Sequence, residues 1–171
     1  MLLFAAAEAM FFAGLVSAFT IVRAGTPGGV WPPPGQPRLP FAETALNTGA
    51  LLLSAAVLIW AHRRFRRSPE LARWPLLTAM ILGALFVTLQ GVEWVGMLRQ
   101  GLTLTSSTLG SFFYLVVGAH ALHAVAAVGG LAYVFIRLLQ GRLEPSHFFA
   151  AQVFWYFVVG LWPVLYLRVY L

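Results

Sequence analysis

Five apolar stretches of roughly 20 residues each, separated by polar or proline-rich segments, leave this 171-residue chain few ways to fold. Inside a bilayer core of about 30 Å there is no water to satisfy the backbone, so each stretch is expected to be a helix that bonds its own N–H and C=O groups. The spans are placed at 2–22, 42–62, 75–98, 109–137 and 147–170. The expected fold is all-α: a polytopic bundle of five transmembrane helices forming a single membrane domain over residues 1–171. The first span is read as a helix and not as a signal peptide, because nothing basic precedes its apolar run and that run is too long for an h-region. The connection from Gly25 through Pro37 is too rich in proline and glycine for a helix. No internal repeat is visible.

Charge supports the membrane reading and orients the chain. Only 9% of the residues are charged and 60% are hydrophobic, whereas soluble domains are about a quarter charged. The net charge of +6 comes from 11 basic residues, all arginine. They gather at the ends of the spans, so no nucleic-acid partner is expected. Arg63, Arg64, Arg66, Arg67 and Arg73 lie between the second and third spans, and Arg137 and Arg142 lie near the fourth connection. Arg23, Arg38, Arg99 and Arg168 lie on the opposite side. The positive-inside rule then predicts a cytoplasmic N-terminus and a periplasmic C-terminus. The chain has no cysteine, which removes disulfides, thiolate metal sites, iron–sulfur clusters and covalent c-type haem.

Two of the five acidic residues, Glu8 and Glu93, fall inside apolar spans, where an ionised group costs a few kcal/mol or more. Desolvation favours the neutral acid unless a partner holds the charge. Three roles are open to these carboxyls: proton carriers, parts of an ion path, or acids bonded to polar neighbours. The intramembrane partners in view are Gln90, Asn47, Gln152, His120, His123, Ser17, Thr20, Ser54, Thr88 and Ser111. Paired broken helices and internal symmetry are both lacking, so a structural or modulatory role is preferred to transport by this chain alone.

His120 and His123 stand three apart on the fourth span and project to one side. Bis-histidine haem takes ligands from two helices, and no other span has an interior histidine. The pair therefore reads as hydrogen-bonding groups that join helices. Ala119, His123, Ala126, Ala127 and Gly130 share a face that reads as a small-residue seam for close helix contact. No catalytic residue and no metal site are expected.

Several motifs carry a resemblance over nearly the whole chain. Glu8-Ala9-Met10-Phe11-Phe12-Ala13-Gly14, Trp31-Pro32-Pro33, Glu43-Thr44-Ala45-Leu46-Asn47-Thr48 and Trp60-Ala61-His62 occur in order. Gln90-Gly91-Val92-Glu93-Trp94, Gly110-Ser111-Phe112-Phe113 and Gly118-Ala119-His120-Ala121-Leu122-His123 follow. Together they resemble subunit III of cytochrome c oxidase, in a short five-helix form. The family commonly has seven helices, and the first span here matches its third. The cleft that lipids occupy in larger members would then lack a wall unless another subunit supplies one. The last helix departs from the family run W-Y-W-H-F-V-D: Tyr156 replaces the histidine, Val159 the aspartate, and Phe149 a common glutamate.

The resemblance implies a non-catalytic subunit that packs on oxidase subunit I in a bacterial inner membrane. Such a subunit holds phospholipid, supports proton uptake and protects the complex from turnover inactivation. Haem and copper would belong to partner subunits. Glu8 matches the family's buried, carbodiimide-reactive glutamate, and Glu93, His120 and His123 match its recurring polar positions. His62, Arg63, Arg64, Arg67 and Trp60 are candidate lipid-headgroup contacts. The alternatives are an accessory subunit of a nitric oxide reductase, a free-standing di-histidine b-type cytochrome, and a small proton channel.

Overall fold

The protein is described by a computed structural model over residues 1–25 and 41–170. The Trp31-Pro32-Pro33 motif, Arg38 and most of the proline-rich connection lie outside these residues. Five helices follow one another: α1 (Leu2–Ala24), α2 (Phe41–Phe65), α3 (Arg73–Arg99), α4 (Thr108–Leu139) and α5 (Pro145–Leu165). Each is long and apolar enough to cross a membrane, α3 together with the 3-10 turn Pro69–Ala72 before it. The described residues contain no strand.

The helices outrun the apolar stretches that signalled them. α2 continues to Phe65 and carries His62, Arg63 and Arg64 in its last turn. Extending a helix costs little where the backbone already bonds itself, and a long arginine side chain at a span's end can keep its charged head in water. Ser107 caps α4 by accepting a 3.0 Å hydrogen bond from the Gly110 N–H. Gly101 and Gly141 follow α3 and α4 at φ of +84° and +66°, backbone geometry in which a Cβ is strained. α5 ends differently. Pro163 removes an N–H from the ladder, and the chain widens into a π-type turn over Tyr166–Tyr170.

The core is assembled by a stripe on α2 at helical spacing: Thr44, Asn47, Leu51, Ser54, Leu58 and Ala61 are all buried. It lies against α3, where Ser54 donates to the Ala79 carbonyl at 2.7 Å and Asn47 Nδ2 to the Phe86 carbonyl at 3.2 Å. α5 closes on the same seam through Trp155, whose ring lies against Gly83. α1 packs on α4 and α5 and presents Leu2, Leu3, Met10 and Ile21 outward. Arg23 reaches the Arg168 carbonyl at 3.3 Å and Tyr166 donates to the Phe41 carbonyl at 2.9 Å. These contacts gather the end of α1, the start of α2 and the end of α5 on one side. On the other side His62 lies 6.0 Å from the Phe148 ring.

The small-residue seam expected on α4 does not form. Ala127 is buried, but Ala126 is exposed and a Cβ at Gly130 would meet nothing within 4 Å. The buried face of α4 runs instead through Val117, His120, Ala124, Ala127, Leu131 and Val134. That face mixes alanines with larger side chains, and it shares only Ala127 with the expected seam.

Candidate functional site

Glu8 and Glu93 belong to two separate polar clusters. Glu8, on α1, places Oε2 3.0 Å from Nε2 of His123 on α4, with side-chain exposures of 22% and 17%. The other ring nitrogen, Nδ1, lies 2.7 Å from the Ala119 carbonyl oxygen. A carbonyl can only accept, so Nδ1 must carry a proton. Nε2 is then either an acceptor facing a protonated Glu8 or the second N–H of an imidazolium facing a carboxylate. Both forms share one proton and both are neutral overall. A pair of this kind can sit in a bilayer without exposing net charge.

Glu93 is held by donors from two helices. Its Oε2 accepts from Thr44 Oγ1 on α2 at 2.8 Å and from Gln90 Nε2 on α3 at 2.8 Å. Gln90 Nε2 also lies 3.1 Å from the Tyr170 hydroxyl at the end of the chain. Thr44 and Tyr170 were not among the partners expected from the sequence. The signal for Thr44 was present, because it opens the buried stripe on α2, three residues before Asn47. Tyr170 carried no such signal, since its position depends on the turn after Pro163.

The remaining polar candidates are placed elsewhere. Asn47 bonds the α3 backbone and does not contact either carboxyl. Thr20, Thr88 and Ser111 bond carbonyls close by in their own chain segment, and Ser54 bonds α3. His120 does not form a hydrogen-bonded pair with His123. It is 1% exposed, stacks on Trp162 at 4.9 Å and lies edge-on to Phe86, and neither ring nitrogen has a partner among the described residues. One turn of helix separates the two residues, and although both rings meet Phe12 of α1 and an aromatic ring of α5, only His123 reaches Glu8, while His120 lies against Phe86 and Trp162. A haem held by both would have to break the His123 contacts. Among the described residues no group of three or more His, Cys, Asp or Glu could hold a metal ion.

At the His62 end of the bundle, a groove of about 580 Å3 is lined by His62, Phe65, Arg66, Pro145, Phe148 and Phe149, among others. Arg66 thus joins His62 there, although the sequence pointed to Arg63, Arg64 and Arg67. Arg64 instead lies 5.2 Å over the Trp60 ring, a cation–π contact, while Arg63 and Arg67 are exposed.

The family model described as cytochrome c oxidase subunit III matches residues 1–171. Cytochrome c oxidase subunit 3 of Gallus gallus is 34% identical over 178 residues, covering 99% of this chain and 67% of its own length. The proteins of the same name from Formosania lacustris and Oncorhynchus mykiss are each 35% identical with the same coverage. The chain belongs to the cytochrome c oxidase subunit III family, the non-catalytic subunit of haem–copper oxidases.

Proposed function

We propose that the chain packs against subunit I of a respiratory haem–copper oxidase in a bacterial-type inner membrane, as one membrane domain. There it holds phospholipid, supports proton uptake and extends the working life of the complex. Oxygen reduction and the coupled proton translocation take place in the partner subunits, which carry the haem and copper. The observation that carries this reading is the 3.0 Å contact between Glu8 and His123 inside the spans. The proton can pass between Glu8 and His123 while the pair stays neutral, and its release to another acceptor would leave the pair as a carboxylate facing a neutral imidazole. Glu93, Gln90, Asn47 and His120 serve to join helices. Phospholipid headgroups are met at the helix ends by His62, Arg63, Arg64, Arg67 and Trp60, together with Arg66.

Glu8→Gln in the assembled complex tests the proton role. The glutamine N–H can still donate to Nε2, so the contact survives while the transferable proton is lost. Assembly and initial oxygen consumption are expected to stay close to normal, with slower proton uptake and a shorter turnover lifetime. Unchanged uptake and lifetime would remove the proton role from Glu8.

A further inference from the structure

Between α3 and α4, within the membrane-spanning part of the bundle, lies a cavity of about 180 Å3. Phe86, Gln90 and Trp94 line it from α3, Val117 and His120 from α4, and Trp162 from α5. The walls are mostly apolar. Yet Gln90 Oε1, Trp94 Nε1 and both ring nitrogens of His120 have no hydrogen-bond partner among the described residues. Gln90 and His120 are only 4% and 1% exposed. Buried polar atoms without partners are uncommon in folded proteins, and each calls for an explanation. Here three residues with such atoms line the same cavity.

Their chemistry defines the guest. The Trp94 indole only donates, the Gln90 carbonyl oxygen only accepts, and a neutral His120 does one of each. A suitable guest must both donate and accept, in several directions, and must be small. The lining residues carry no formal opposite charge that would select an ion. An acyl chain would fill the volume and leave every one of these atoms unpaired.

We propose that this cavity is a water-binding site, holding a cluster of ordered molecules bonded to Gln90 Oε1, Trp94 Nε1 and the His120 ring. One water needs roughly 10–15 Å3 of such space, so the cavity has room for several. Gln90 gives the site its consequence. Its Nε2 already bonds Glu93 and lies against Tyr170, and Glu93 bonds Thr44. Water on Oε1 therefore extends that network to His120, and α2, α3, α4 and the turn after α5 become one hydrogen-bonded body. It also places exchangeable water one residue away from the Glu93 carboxyl. The site does not depend on the role proposed for Glu8.

Solid-state NMR of the full isotope-labelled chain in phospholipid bilayers tests this directly. Magnetisation is transferred from water protons, and separately from acyl-chain protons, to the side-chain nitrogens and to the leucine methyl carbons. Transfer from water to Trp94 Nε1 and the His120 ring is expected to be several-fold faster than to the methyls of Leu51 and Leu58, which are 0% exposed. Trp94→Phe, which keeps the ring and removes the donor, is expected to lower the His120 transfer about two-fold. Transfer no faster than at the leucines means a dry cavity and overturns the proposal. Faster transfer from acyl protons than from water assigns the cavity to lipid and overturns it as well. The wild-type chain alone decides between these outcomes, so a misfolded variant does not blunt the test.

Discussion

Glu8→Leu asks of the residue what Glu8→Gln does not. Leucine removes both the proton and the hydrogen bond, and leaves Nε2 of His123 facing an apolar side chain. Loss of a partner from a partly buried polar group costs about 1–3 kcal/mol. Glu8→Leu should therefore lower the thermal unfolding midpoint of the detergent-solubilised protein, while Glu8→Gln should leave it almost unchanged. Gly83 is a second residue whose role depends on one contact. A Cβ there would meet the ring of Trp155, which is 0% exposed and has nowhere to move. Gly83→Ala should cost about 1–3 kcal/mol by overpacking, read in the same thermal assay. The two carboxyls were legible in the sequence because a glutamate in an apolar run is costly and therefore conspicuous. Gly83 was not legible, because a glycine among apolar residues looks the same whether or not a tryptophan lies against it.

For the helices, the hydrophobic stretches fixed existence and order, while their ends were decided by local chemistry that hydropathy does not register. Ser107→Ala should weaken the start of α4 by about 1 kcal/mol, visible as faster amide hydrogen exchange at Gly110 and its neighbours. The α2–α3 pair offers a stronger test. Thr44→Val removes one of the two side-chain donors to Glu93 and should destabilise the pair by about 1–3 kcal/mol. Thr44→Ser keeps the hydroxyl and should restore most of the loss; a thermal midpoint unchanged by Thr44→Val would show that this bond contributes nothing net. The buried stripe on α2 could be traced at three- and four-residue spacing. The false seam on α4 had the same kind of spacing, with Ala119, Ala126 and Gly130 in register. Small residues permit close packing but do not require it, and a neighbouring stripe that mixes alanines with larger side chains took the interface within this chain.

For the whole molecule, the arginine distribution makes a topological prediction that this cysteine-free chain suits well. With single cysteines introduced by Thr105→Cys and Gln140→Cys, a membrane-impermeant maleimide should label the first from the periplasmic side and the second only from the cytoplasm. The reverse pattern would invert the orientation. The proposed lipid holding belongs to this scale too, since it draws on the helix ends beside the groove between the end of α2 and the start of α5. The double variant Arg63→Ala/Arg67→Ala should copurify with less phospholipid and lose activity sooner during turnover. Retained lipid and lifetime would shift the headgroup role to His62 and Arg66, which line the groove.

The number of spans, their order and the family were set by the sequence alone. Transfer into a bilayer is summed residue by residue along each segment, and the family motifs are linear strings, so neither needs a partner helix to be recognised. The pairing of polar groups was settled only by the tertiary structure. Whether His123 meets Glu8 or His120, or whether Glu93 finds Thr44 or Ser111, depends on how each helix is rotated about its axis and where it crosses its neighbours. Those angles come from the packing of Trp155 on Gly83 and Trp162 on His120. Such contacts join residues far apart in the chain, and hydropathy, being local, carries no information about them.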